Sequence, residues 1–174
     1  MPDAVMINRA PVLALWAAVV AERLGHARAE ALSIGRAVSG LAAQRKGRRL
    51  ALYKEPTEEE RAARRERRLP ADQLVVLGVP VPVRQTEAGL RAVSGNSFVE
   101  PGTVERYLHS KFGDALPDVE AAMRALADSY PPEELDQRGF QLYEEFRPHI
   151  PSGQRGWGQK GELHLEIIRS LAKK

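Results

Sequence analysis

One stretch limits the fold more than any other: PVLALWAAVVAERLG, residues 11–25. Val12, Leu13, Leu15, Trp16, Val19, Val20 and Leu24 put apolar groups on nearly every side of a helix, and Glu22 and Arg23 form its only strongly polar patch. A helix with no wet face belongs at the centre of a core or in a dimer interface. The apolar run from 11 to 21 is about half of the roughly 20 residues a membrane span requires, so it is not a membrane segment. Pro11 suits a first helical position, where its missing N–H costs nothing, and Gly25 suits the residue after the last turn. The preceding residues 1–10 show no periodic pattern and read as an arm or a loose terminus.

A second helix is expected over residues 27–44, with Ala31, Ile34, Ala37 or Val38, Leu41 and Ala42 forming an amphipathic stripe. Small residues crowd it: Ser33, Gly35, Ala37, Ser39, Gly40 and Ala43. Gly35 and Gly40 each sacrifice about 1 kcal/mol of helix propensity relative to alanine, which close approach of another backbone would offset. Val20, Ala21, Leu24, Gly25, Ala31 and Ile34 resemble a helix-turn-helix pattern, with Ala at the crossing and Gly in the turn. The same residues fit a plain antiparallel helical hairpin. The second helix is long for a recognition helix, and its first turn offers base edges only His26, Arg28 and Glu30.

Beyond this hairpin the pattern changes several times. Thr57 caps a strongly charged helix whose first turn holds Glu58, Glu59 and Glu60 and whose end holds Arg64, Arg65, Arg67 and Arg68. LVVLGVPVPV, residues 74–83, is β-branched, and Pro80 and Pro82 exclude a central strand, so an edge strand near 79–84 is expected to pair with 89–94. Three amphipathic helices follow, over 103–112, 117–130 and about 132–147, and a final helix over about 162–171. The fold class is therefore mainly α: about five to six helices in an orthogonal or bundle-like arrangement, with a small β-hairpin between residues 79 and 94. A chain of 174 residues with 43% apolar content sustains one core. We read residues 1–174 as a single helical domain. Residues 1–68 supply the basic hairpin and charged connector, and residues 69–174 the acidic helical part with the β-hairpin.

The absence of cysteine removes disulfides, thiolate zinc sites and cysteine nucleophiles, and agrees with a cytoplasmic location. The start of the chain, with Asp3 and no basic region before an apolar stretch, does not resemble a secretory signal. Charge is uneven: residues 1–68 hold 14 Lys and Arg against 8 Asp and Glu, whereas residues 69–174 hold 12 against 15. Such polarity suits an anionic partner for the basic part, or self-association of unlike parts.

Two groups of residues invite chemistry. Arg45, Lys46, Arg48 and Arg49, with Arg36 a few turns before them, are suited to phosphates, which arginines neutralise with release of counterions. The stretch SGQRGWGQKG, residues 152–161, contains GxGxxG just ahead of the final helix. With no strand pattern before it and no acid some 20 residues on, it is not a dinucleotide fingerprint. It remains either a tight structural loop or an anion and base loop using Arg155, Trp157, Lys160 and the helix N-terminus. His26, His109, His149 and His164 are isolated. His164 lies between Glu162 and Glu166, but residues two apart on a helix do not share a face.

These observations point to a non-enzymatic, nucleic-acid-associated protein that contacts DNA phosphates through its basic cluster in a helix-turn-helix-like manner. No cofactor, metal or membrane is implied, and a homodimer through the first two helices is compatible. The alternative is a helical protein-interaction or oligomerisation module. A third reading is a small-anion or nucleotide-binding enzyme that uses the loop 152–161.

Overall fold

The computed structural model describes residues 4–49, 58–59, 72–149 and 160–173. Within them the chain is mainly helical, with two small antiparallel sheets. The order is β1 (Ala4–Ile7), α1 (Arg9–Arg23), α2 (Arg28–Arg49), β2 (Asp72–Val76), β3 (Val79–Thr86), β4 (Gly89–Ser94), β5 (Ser97–Phe98), α3 (Pro101–Phe112), a single 3-10 turn (Gly113–Ala115), α4 (Leu116–Asp128), α5 (Pro132–Phe146), β6 (Gly161–His164) and α6 (Leu165–Ser170). No helix among the described residues is long and apolar enough to cross a membrane.

The all-round apolar helix is central. Every residue of α1 from Pro11 to Ala21 is buried within one chain. It starts two residues earlier than Pro11, which therefore occupies the third helical position. That site is still tolerant, because the first helical N–H groups have no partner inside the helix. At the other end Gly25, at φ 112°, reverses the chain. Gly25 N–H donates to Glu22 O (3.0 Å) and His26 N–H to Ala21 O (3.1 Å), the paired bonds of a Schellman cap.

α2 then runs back along α1. Ser39 Oγ donates to Ala10 O at 2.8 Å, and a Cβ on Gly35 would meet Ala14 O at 2.6 Å and Ala18 N at 2.8 Å. Contacts that continue this far from the turn make α1 and α2 an antiparallel hairpin packed side by side, with Gly35 at the closest approach. Gly40 is different: none of the described residues lies within 4 Å of a Cβ placed there. Among the described residues the expected second close approach is absent. α2 is also longer than its pattern indicates, remaining helical through the basic cluster to Arg49.

The hairpin at 79–94 is present as β3 and β4, within a four-stranded meander ordered β2-β3-β4-β5. β3 thus has neighbours on both sides despite Pro80 and Pro82. The register explains how. In a two-residue hairpin the pair flanking the turn is hydrogen-bonded and pairs alternate from there. With Val76 opposite Val79, the prolines face Val75 and Gln73 at non-hydrogen-bonded positions, so their missing N–H groups point to the opposite edge. On that edge the ladder to β4 stops at Val83 with Ala92, one residue short of Pro82. Each proline is locally on an edge although the strand is not. The β2–β3 turn has Leu77 at φ 55° and Gly78 at φ 75°, the positive pair that such turns need. Leu77 is buried, with its Cδ2 against Gly139 of α5.

Residues 4–10 do not form an arm. Ala4–Ile7 pairs antiparallel with Gly161–His164, and Ile7 is buried. The final helix is correspondingly shorter than expected, because residues 161–164 are the strand that β1 requires and only Leu165–Ser170 are helical. α3, α4 and α5 turn their apolar stripes to the core: Val104, Leu108 and Phe112; Val119, Ala122, Met123, Leu126 and Ala127; Leu142, Tyr143 and Phe146. α5 lies antiparallel to α1. Trp16 Nε1 donates to Gly139 O at 2.9 Å, its ring meets Phe146 edge-on at 5.3 Å, and Tyr143 Oη donates to Arg9 O at 3.4 Å.

Candidate functional site

The phosphate-seeking residues sit at one end of the α1–α2 pair. Since Ser39 is level with Ala10, and α1 begins at Arg9, α2 overruns α1 by about ten residues, roughly 15 Å of helix. Arg45, Lys46, Arg48 and Arg49 belong to that overrun, and their side chains lie outside the described set. Arg36 is some way back along the helix and already engaged: its guanidinium lies 4.5 Å from the centre of the Tyr107 ring, a cation–π contact. Burial raises the Tyr107 hydroxyl above its ordinary pKa, and Arg36 only partly opposes this.

The first turn of α2, which a recognition helix would present to bases, is committed to the protein itself. Glu30 accepts a 3.0 Å bond from Leu90 N–H and lies 3.5 Å from His26. The Leu90 N–H holds the Glu30 carboxyl below the usual range against the opposing effect of burial, with His26 assisting. Arg28 Nη1 donates to Glu120 at 2.7 Å and has Glu22 and Glu105 within 3.6 Å. Arg124 completes this cluster with two bonds to Glu22, 2.7 and 3.1 Å, and one to Glu120, 3.2 Å. Burial works to raise the Glu120 carboxyl, but Arg28 and Arg124 together leave it lowered. Beside the cluster is a hollow of about 240 Å³ lined by Val19, Glu22, Arg23, Arg124, Ala127 and Asp128, in which acids and arginines are opposed to one another. This end of the hairpin is therefore neutralised from within.

The glycine-rich stretch is only framed. Residues 152–159, including Arg155 and Trp157, lie outside the described set, as do Arg61 to Arg68 of the connector, of which Glu58 and Glu59 are described as helical. Lys160 is described and exposed. The stretch is followed by a strand rather than a helix, because Gly161 opens β6. Among the described residues no helix N-terminus adjoins it, contrary to the anion-loop expectation, since the helix starts only at Leu165. Gly161 has no Cβ because the backbone of His149 occupies the place, and His149 N–H donates to Glu162 O at 3.3 Å. The strand also changes the histidine reading. Residues two apart share a face on a strand, and His164 Nε2 lies 3.3 Å from Glu162 Oε2.

No group of three His, Asp or Glu among the described residues is placed to hold a metal ion. Arg9 and Arg147 belong to no local motif and carry no sequence signal. Arg9 Nε donates at 2.9 Å to Pro148 O, 139 residues away along the chain, a relation only the fold supplies. No family model, no curated protein and no solved structure matches the chain.

Proposed function

We propose that the protein is a non-enzymatic, nucleic-acid-associated factor that holds a phosphate backbone with the basic end of α2. The observation that carries this reading is the overrun: four cations, Arg45, Lys46, Arg48 and Arg49, ride on a continuous helix past the point where its partner helix begins. Cations at a helix C-terminus also complement its dipole, but one or two suffice for that. Contacts of this kind fix position rather than sequence. Reading of base edges by the start of α2 is not part of the proposal, since Arg28 and Glu30 are paired internally.

The test is anisotropy of a fluorescein-labelled DNA duplex at low salt. Binding is expected to weaken steeply as salt rises, and alanine at all four cations is expected to abolish it. Equal binding by the wild type and the fourfold variant sinks the reading. The homodimer through the first two helices has less to stand on, because α1 is buried within one chain from Pro11 to Ala21. Light scattering after size exclusion tests the dimer, which a strict monomer would remove.

A further inference from the structure

The end of the molecule carrying the α2 overrun gathers cations from three other parts of the chain. Ser39 opposite Ala10 places the last turns of α2 beyond the start of α1. Tyr143 Oη on Arg9 O, and Arg9 Nε on Pro148 O, bring the end of α5 to the same end of α1, and with it Arg147. Ile7 opposite Gly161 sets Lys160 beside the residue that leads into α1. Arg9 and Arg147 are both half-buried, and Lys160 is exposed.

Among the described residues no carboxylate forms an ion pair with Arg9, Arg147 or Lys160, whereas Arg23, Arg28, Arg124 and Arg138 each have one. The first turn of α1 holds no acid, and Asn8 ahead of it makes no side-chain capping bond. Among the described residues the other titratable group acting on Arg9 is Tyr143, buried and donating to Arg9 O, and Glu144 beside it is exposed and forms no ion pair with Arg147. Burial first, and the Arg147 charge second, pull the Arg9 guanidinium below its ordinary value. Two like charges held together in a half-buried place are unfavourable unless an anion joins them.

We infer that Arg9, Arg147 and Lys160 form a second phosphate seat, beside the basic end of α2, on which a nucleic-acid backbone crossing that end is also held. A guanidinium offers paired N–H donors to phosphate oxygens, and an ammonium adds a point charge at the rim. The seat deepens the proposed function and rests on it. The shared chemistry is the phosphate group, which arrives either in a polynucleotide or as a small free phosphate.

The experiment uses the full chain and the same labelled duplex between about 50 and 200 mM salt. Arg147→Gln and Lys160→Gln are each expected to weaken binding roughly three- to tenfold and to lower the slope of log affinity against log salt by about 1, while Arg147→Lys keeps the slope. Thermal melts establish that each variant folds. Should Arg147→Gln fail to fold, Lys160→Gln decides, since Lys160 is exposed. If both Gln variants bind as the wild type does while alanine at Arg45, Lys46, Arg48 and Arg49 abolishes binding, the seat is overturned and the functional reading stands. If the wild type ignores the duplex but calorimetry shows inorganic phosphate binding that Arg147→Gln removes, the seat stands as a small-phosphate site and the nucleic-acid reading falls. If neither probe binds, both fall.

Discussion

Gly35 and Gly40 are the same residue in the same helix, yet the fold treats them oppositely. Alanine has about 1 kcal/mol more helix propensity than glycine, and at Gly40 nothing described stands within 4 Å to oppose that gain. Gly40→Ala is therefore expected to stabilise the protein by about 0.5–1 kcal/mol. At Gly35 the new methyl meets the backbone of Ala14 and Ala18 at 2.6 and 2.8 Å, and backbone cannot step aside as a side chain can. Gly35→Ala should lose about 1–3 kcal/mol net as the helices are pushed apart. Urea denaturation checks both, and a shift of the two midpoints in the same direction contradicts the register of the hairpin. Ser33 tests the next contact outward. Its Oγ donates to Val99 O at 2.6 Å and accepts from Ala92 N–H at 2.8 Å, with the side chain fully buried. Ser33→Ala leaves both backbone groups unpaired, at a cost of about 1–3 kcal/mol each, so an effect below about 1 kcal/mol in the same measurement would remove Ser33 as the bridge between α2 and the sheet.

The helices were legible because their signals are local: stripes at spacings of three and four, Gly25 and Gly113 after the last turns, prolines near the first. β1 and β6 were not, since each is four residues long and pairs with the other more than 150 positions away. In β3 the proline rule holds for each edge separately and not for the whole strand, so Pro80 and Pro82 do not make it an edge strand. The cluster Glu22–Arg28–Glu120–Arg124 was equally invisible, because it joins the end of α1, the start of α2 and the side of α4. It makes a prediction about elements rather than residues. Glu120 is lowered in the folded state, so its contribution is present above the unfolded carboxylate range and is lost as pH falls through the folded value. The wild type should therefore lose stability below about pH 4.5, and Glu120→Gln should make that acid limb shallower. At neutral pH the loss should be no more than about 1 kcal/mol, because the arginine partners are some two-fifths exposed. Thermal melts from pH 3 to 7 check this, and an unchanged acid limb in the variant rules the cluster out as its source.

Across the whole molecule, the direction of α1 organises the charge. Its C-terminal end carries the paired cluster, and its N-terminal end carries Arg9, Arg147, Lys160 and the overrun of α2. The sequence displayed part of this as an excess of cations before residue 69, but placed it along the chain and not in space. Arg147 and Lys160 belong to the acidic part by sequence and to the basic end by fold. A positive end whose described cations Arg9, Arg147 and Lys160 form no ion pair among the described residues has a thermodynamic consequence that needs no mutation. A polyanion that binds only the folded state stabilises it by mass action, about 2.7 kcal/mol at a free concentration of 100 times Kd. For a chain of this size each kcal/mol moves the melting temperature by roughly 2–4 °C. A short duplex at low salt is therefore expected to raise Tm by about 5–10 °C. With six or more phosphate contacts, raising salt from about 50 to 200 mM weakens binding around a thousandfold, and the shift should vanish. A duplex-induced rise in Tm that survives at high salt would mean that contacts other than these cations hold the nucleic acid. No rise at low salt, with the duplex in large excess, would leave the charged end without the partner assigned to it.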